Sequence, residues 1–239
     1  VKLDFEPQHI EAIRQGLDKI EDRIRHYLEI VSTDLLFLQR TQNVGTMSKV
    51  EAIFFGLLGP TARASGVTLD VRVDAPYGAL RAFPISLVTE TDGDLASRFR
   101  VRLRELFVTC NHIRTMLDHL PAGDIVVRMP RKIPAGETIS RVEAPRGELV
   151  YFIKSNGTDK PDRVKIRTPS LANWTAVLNK APGSQLADVP LLISGMDPCF
   201  SCNDRMVTLR KPDGSPLEWT WEQLRQYGIA YYKRQEGSR

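Results

Sequence analysis

The chain has 239 residues, 42% of them apolar, enough for a real core in one large domain or two small ones. Its 33 basic and 29 acidic residues leave a net charge of +4, and no block of five or six like charges points to nucleic acid. Three cysteines are too few and too unevenly placed for a disulfide framework and fit a reducing, cytoplasmic compartment, while the longest apolar run, 52–58, falls far short of the roughly 18 residues of a membrane span.

Residues 1–30 are polar and periodic, without the apolar core or small-residue cleavage site of a signal peptide. The chain opens at Val1 on a segment that reads as mid-domain, so an amino-terminal part of a longer protein is expected to be absent. Over 8–40 the residues Ile10, Ile13, Leu17, Ile20, Ile24, Leu28, Val31, Leu35 and Leu38 recur at steps of three and four, which predicts one long amphipathic helix. Next comes a stretch dense in Gly, Pro, Arg and Ser, expected to be an ordered loop or short helical turns, with its arginines paired to Asp70 and Asp74. A second apolar stripe, from Leu95 through Phe99, Leu103, Leu106, Cys110, Ile113 and Leu117 to Leu120, predicts a helix over 94–120 that Pro121 and Gly123 stop. Cys110 sits inside the stripe and reads as core. His9 and His26 fall on the first helix and His112 and His119 on the second. The second pair is two turns apart, too wide to clasp one metal, so all four read as solvated or capping.

After Pro121 the period shifts to two. Ile125-Val126-Val127, 149–153 and 164–167 read as short strands, the last two forming a hairpin around Ser155-Asn156-Gly157-Thr158-Asp159. Short helices are expected over 171–178 and 186–193. Beyond Arg205 a separate tail pairs 206–210 with 217–220 across Pro212-Asp213-Gly214. There Thr220-Trp221-Glu222-Gln223 forms a capping box for a helix ending near Gly228. The expected fold is α+β: a helix-dominated bundle with a small antiparallel β section over 124–167, divided into 1–205 and a tail, 206–239, that packs on the body through its aromatic residues.

Asp197-Pro198-Cys199-Phe200-Ser201-Cys202-Asn203-Asp204-Arg205 is where these segments are expected to converge. Two thiols separated by two residues can face one point, which suits zinc, an iron cluster, a dithiol pair or a soft transition metal. Inert buried thiols are the plain alternative. Pro198 fixes φ before the first sulfur, and Asp197 and Arg205 bracket the pair with opposite charges.

Five blocks follow one another along most of the chain. They are Gly59-Pro60-Thr61-Ala62-Arg63-Ala64-Ser65-Gly66 with Asp70, Arg72, Pro76 and Tyr77; Gly93-Asp94 with Arg98; Glu143-Ala144-Pro145-Arg146-Gly147-Glu148-Leu149; Arg167-Thr168-Pro169-Ser170; and Asp197-Pro198-Cys199-Phe200-Ser201-Cys202. In this order they resemble the large subunit of the energy-converting, membrane-bound nickel-iron hydrogenases, the group that includes formate hydrogenlyase. The homologous quinone-reducing core subunit of respiratory complex I shares the first three blocks but lacks the metal cysteines.

The resemblance implies that Cys199 is a terminal thiolate on nickel and that Cys202 bridges nickel to an iron carrying carbon monoxide and cyanide. It places Arg146 over the open metal face with Asp197 orienting it, Pro145 beside the iron, and Ser170 as hydrogen-bond donor to a cyanide. The implied reaction is reversible heterolysis of hydrogen. A guanidinium holds its proton too tightly to serve as base, so the Cys199 thiolate is the preferred acceptor, with Arg146 positioning and polarising. An ion pair of Arg146 with Glu143 or Glu148 is the plain alternative. The family holds its metal with four cysteines, and the first pair is missing here, so this chain by itself is expected to be inactive and to carry no nickel-iron centre.

The implied partners are an iron-sulfur small subunit that takes the electrons, membrane subunits that hold the chain on the inner face of the cell membrane, nickel-insertion proteins, and a maturation endopeptidase cutting between Arg205 and Met206. Two other readings stand beside this one: a complex I-like subunit without nickel, and a helical interaction module whose Cys199 and Cys202 complete a zinc site with a partner.

Overall fold

A computed structural model describes residues 4–126, 132–204, 209–210, 213–217 and 219–236. The chain divides into two units, Val1–Asn203 and Asp204–Arg239.

The first apolar stripe folds as two helices. Helix α1, Pro7–Thr33, ends at Asp34, whose extended backbone (φ −69°, ψ 117°) also starts α2, Leu35–Thr41. The Asp34 carboxylate accepts from Phe37 N at 2.7 Å. Local side-chain hydrogen bonding of this kind competes with helix continuation, so the single helix expected over 8–40 is corrected to two. Short helices α3, Lys49–Phe54, α4, Gly59–Arg63, and α5, Val71–Asp74, follow, with a 3-10 turn at Gly78–Arg81.

Helix α6, Leu95–Asp118, lies antiparallel to α1. Arg14 near the start of α1 pairs with Asp118 at the end of α6, and Arg114 reaches Asp18 at 2.7 Å and also meets Glu21. Leu17, Ile24 and Cys110 form the dry seam between the two helices, flanked by Ile13, Leu103, Phe107 and Ile113. Burial first, with Glu21 adding to it, pushes the Cys110 thiol up, as suits an inert core cysteine. His112 departs from expectation: its Nε2 is buried without a hydrogen-bond partner, and burial, helped by Arg72, lowers its pKa.

The start of α6 is wholly buried. Asp94 caps it, accepting from Ser97 N at 2.8 Å and Asn43 N at 2.9 Å. A Cβ on Gly93 (φ +69°) would lie 2.0 Å from Met47 O, so only glycine fits there. Buried Arg98 donates to the carbonyls of Gly45 at 2.7 Å and Gly93 at 3.1 Å. The block Gly93-Asp94 with Arg98 is therefore a structural lock on the helix start.

Three strands form one antiparallel sheet in the order β1, Gly136–Ala144, β2, Gly147–Ser155, and β3, Pro161–Arg167. The β2–β3 hairpin matches expectation. Strand β1 does not: Ile125 and Val126 are outside any strand, Val127 lies outside the described residues, and the first strand begins at Gly136. Its run Gly-Glu-Thr-Ile-Ser-Arg-Val-Glu-Ala is mostly exposed and polar, so hydrophobic patterning could not mark it. Helix α7, Pro169–Lys180, a 3-10 turn at Leu186–Asp188, α8, Val189–Met196, and α9, Phe200–Asn203, bring the chain to the cysteines.

In the second unit, β4, Leu209–Arg210, pairs with β5, Pro216–Leu217, and α10 spans Trp221–Glu236. The capping box is present, with Thr220 N donating to Gln223 Oε1 at 2.8 Å and Gln223 N to Thr220 Oγ1 at 3.3 Å. The helix continues through Gly228, where an end was expected. Tyr227 stacks on Tyr231 across Gly228 and meets Trp219 in a tilted contact, which supports that continuation. The expected cleavage junction, Arg205–Met206, lies outside the described residues.

Candidate active site

Pro145 and Arg146 form the two-residue turn between β1 and β2, where Ala144 pairs with Gly147. The turn is pressed onto the start of α4. A Cβ on Gly147 (φ +124°) would meet Gly59 N at 2.5 Å, and one on Gly59 would meet Arg146 O at 2.4 Å. Fully buried Asn173 of α7 closes this joint. Its Oδ1 accepts from Leu58 N at 2.8 Å, and its Nδ2 donates to the carbonyls of Leu58 and Arg146, each at 3.2 Å. The Arg146 backbone is thus held from two sides.

The side chain then reaches Asp197. Arg146 Nε donates to Asp197 O at 3.1 Å and Nη2 to Asp197 Oδ1 at 2.9 Å. Asp197 ends α8 in the left-handed region (φ 57°, ψ 62°), which Asp tolerates better than most residues. Its second oxygen lies 3.9 Å from Arg102 Nε of α6, and Arg102 also donates to Thr61 Oγ1 at 3.3 Å and Arg98 O at 3.2 Å. Burial, the largest influence, brings the Arg102 pKa down to about 10. The alternative ion pairs of Arg146 do not form: Glu143 pairs with Arg63, and Glu148 pairs with Arg141 and Arg167.

The cysteine loop is tied to the start of α7. Cys199 N donates to the buried Ser170 Oγ at 3.2 Å, which leaves the serine proton as a donor; Thr168 Oγ1 donates to Cys202 O at 2.8 Å. Asn203 Nδ2 donates to Cys199 O at 2.8 Å and is itself held by Trp174 Nε1 at 2.8 Å. The Cys199 thiol is held below its ordinary range, first by the backbone N–H and thiol of Cys202, then by the charge of Arg146 and the Ser201 N–H. A thiol so placed ionises readily and is a good soft-metal ligand.

Pro145 and Asp197 border a cavity of ≈ 470 Å³ whose other walls include Arg63, Arg102, Glu105 and Glu143. Arg63 is buried and meets three carboxylates: Glu105 at 2.6 Å, Glu143 at 2.8 Å and Asp70 at 3.2 Å. Burial opposes its charge, but Glu105 and Glu143 outweigh that and raise its pKa. Arg72 adds a bond to Asp70 at 2.7 Å, so the expected structural pairing to Asp70 holds, while Asp74 instead accepts from Asp70 N at 2.9 Å.

All six residues singled out from the sequence, Pro145, Arg146, Ser170, Asp197, Cys199 and Cys202, are linked through this one region. Arg102, Asn173 and Trp174 were missed, while Thr168 and Asn203 stood inside the sequence blocks without a role of their own. The spacing of Arg98, Arg102 and Glu105 along one side of α6 was the available signal for the first of them. For a metal, the described residues offer the two thiols of Cys199 and Cys202, and among them no group of three or more His, Cys, Asp or Glu is placed to hold an ion.

Among curated proteins, the chain is 36% identical over 206 residues to the carbon monoxide-induced hydrogenase of Rhodospirillum rubrum, covering 86% of this chain and 57% of that protein. It is 35% identical over 196 residues to an NADH-quinone oxidoreductase subunit of Dehalococcoides mccartyi, covering 81% and 53%. Among solved structures it resembles a chain of the membrane-bound sulfane sulfur reductase, an archaeal respiratory membrane complex, with TM-score 0.77 and 30% identity over 83% of this chain and 56% of that one. The chain therefore spans little more than half the length of these relatives. The sequence profile of the respiratory-chain NADH dehydrogenase 49 Kd subunit matches residues 1–133 and 126–205, and the chain belongs to that family.

Proposed function

We propose that this chain is part of the catalytic large subunit of a membrane-bound, energy-converting nickel-iron hydrogenase of the formate hydrogenlyase type. The observation that carries the reading is the Cys199–Cys202 loop, with its lowered thiol pKa, beside the Arg146–Asp197 pair. Kinship with the carbon monoxide-induced hydrogenase supports it. Cys199 and Cys202 would hold half of the centre; the third cysteine of the chain, Cys110, is sealed in the core, so the other two thiolates would be supplied from outside these 239 residues. When bound, the nickel-iron group with its carbon monoxide and cyanide ligands supplies the reversible splitting of H2 into two protons and two electrons.

The chain's own residues then act around it. The Cys199 thiolate takes a proton, while Arg146 stays charged and polarises the site, held in place by Asp197. Ser170 would donate a hydrogen bond to a cyanide of the bound group, and Pro145 would shape the wall beside it. Electrons leave to an iron-sulfur small subunit, and membrane subunits hold the assembly at the inner face of the membrane; among the described residues no helix is long and apolar enough to cross it. Maturation by cleavage after Arg205 belongs to the same reading. A complex I-like subunit without nickel is the second reading, favoured by kinship with the NADH-quinone oxidoreductase of Dehalococcoides mccartyi. Metal analysis of the intact native complex separates the readings. One nickel per complex is expected, with one iron beyond those of the iron-sulfur clusters; cluster iron without nickel supports the second reading, and zinc in place of nickel supports a structural thiolate site.

A further inference from the structure

We propose that Glu143 is a proton relay of this site, exchanging protons with it through the cavity that its carboxylate shares with Asp197 and Pro145; the inference rests on the nickel-iron reading above. Glu143 sits two residues before Pro145 on β1, so one short piece of backbone carries both the relay and the wall of the site. Its side chain is 4% exposed. Oε1 lies 2.8 Å from Arg63 Nη1, and Oε2 accepts from Val71 N at 3.2 Å.

Charged groups face Glu143 from three helices, and Asp74 of α5, Arg141 of β1 and Glu148 of β2 line a smaller cavity with it. Arg63 comes from α4, Asp70 from the cap of α5, Arg72 from its first turn, and Glu105 from α6. The Tyr77 hydroxyl accepts from Glu143 N at 3.2 Å. Three carboxylates, Asp70, Glu105 and Glu143, thus surround Arg63 and Arg72, and Glu105 also faces Arg102. Arg102 and Arg146 on the other side of the cavity are both engaged by Asp197. The Glu143 carboxylate is 4% exposed, and a carboxylate shut away from water takes up a proton more readily than an exposed one.

Glu143 is the member that takes the proton. Asp70 is held down: burial opposes its charge, but the hydrogen bond from Arg72 and the charges of Arg63 and Arg72 outweigh burial. Glu143 is pushed up, chiefly by burial; Arg63 recovers only part of this, and Asp70 adds to the push. The cavity, ≈ 470 Å³, is many times the roughly 30 Å³ of a water molecule, and its polar walls can order a chain of them. Leu106 lines it and is 44% exposed, so the cavity reaches the surface. In the relay step one proton released at the site moves along this path to the Glu143 carboxylate, giving the neutral acid, and then leaves to solvent. No electron moves, and Arg63 keeps its charge throughout.

The test compares the intact complex carrying wild-type, Glu143→Gln and Glu143→Asp subunits. The wild type is expected to show an infrared carboxylic-acid band that shifts in heavy water, titrates above the free glutamate range of about 4.3, and is lost in Glu143→Gln. That variant is expected to keep its nickel, iron and cyanide bands while hydrogen oxidation and hydrogen–deuterium exchange with solvent fall about a hundredfold, with partial recovery in Glu143→Asp. Metal present with an unchanged rate and pH profile in Glu143→Gln overturns the relay alone. Should that variant fail to assemble, absence of the carboxylic-acid band from the wild type overturns it. No nickel in the wild-type complex overturns the underlying reading, and the relay falls with it.

Discussion

Cys199 and Cys110 show how far one residue type can be separated by its surroundings. The first lies half-buried in a loop of N–H donors near Arg146, and the second is sealed between α1 and α6 where burial raises its pKa. Peptide-resolved alkylation with iodoacetamide across pH is therefore expected to give Cys199 a midpoint below the ordinary value of about 8.5, and to leave Cys110 unmodified in the folded chain. A thiol with a lowered pKa stays reactive as pH falls, until protonation overtakes it. Arg146→Ala removes a stabilising positive charge and should move the midpoint upward; an unchanged midpoint would show that Arg146 does not act on the thiol. At this scale the sequence revealed the residues whose chemistry is conspicuous. It hid Asn173 and Arg102, whose importance lies in partners 115 and 95 positions away.

The β1–β2 hairpin is the element that aims Arg146, and its precision comes from backbone lying directly on backbone. Gly59 and Gly147 meet with no room for a side chain on either. Gly147→Ala puts a methyl 2.5 Å from Gly59 N at φ +124°, so it should cost about 2–5 kcal/mol in chemical denaturation and raise the Cys199 alkylation midpoint by displacing Arg146. Gly157→Ala, also at positive φ but with its nearest neighbour 3.9 Å away, should cost only about 1 kcal/mol and leave the thiol unchanged. Equal losses in the two variants would mean that the close approach contributes nothing. Apolar periodicity located α6, which buries a regular face, and the β2–β3 hairpin was marked by its β-branched residues and turn-rich loop, although β3 is exposed along most of its length. Periodicity joined α1 to α2 because the stripe continues across Asp34, where the break is made by a polar side chain.

At the scale of the molecule, the site draws on the β1–β2 turn, the start of α7, the end of α8 and α9, braced by α4 and α6. That convergence was visible only as blocks in order along the chain; of the buried Arg63 cluster that supports it, the pairing to Asp70 was expected, and the partners Glu105 and Glu143 were not. Two thiolates are half of what a nickel-iron group needs. The purified 239-residue chain is accordingly expected to take up zinc that dialysis against a chelator removes, and no nickel with iron, by elemental analysis; stoichiometric nickel and iron would refute this. The span between Arg146 and Asp197 also sets a clock. At synthesis rates of about 5–20 residues per second, the 51 positions separating them take roughly 3 to 10 s to translate. During that interval the nascent hairpin carries a guanidinium whose counter-ion has not yet been made. The thiols follow within the next five codons, so the ribosome delivers the soft ligands only after the scaffold that receives them.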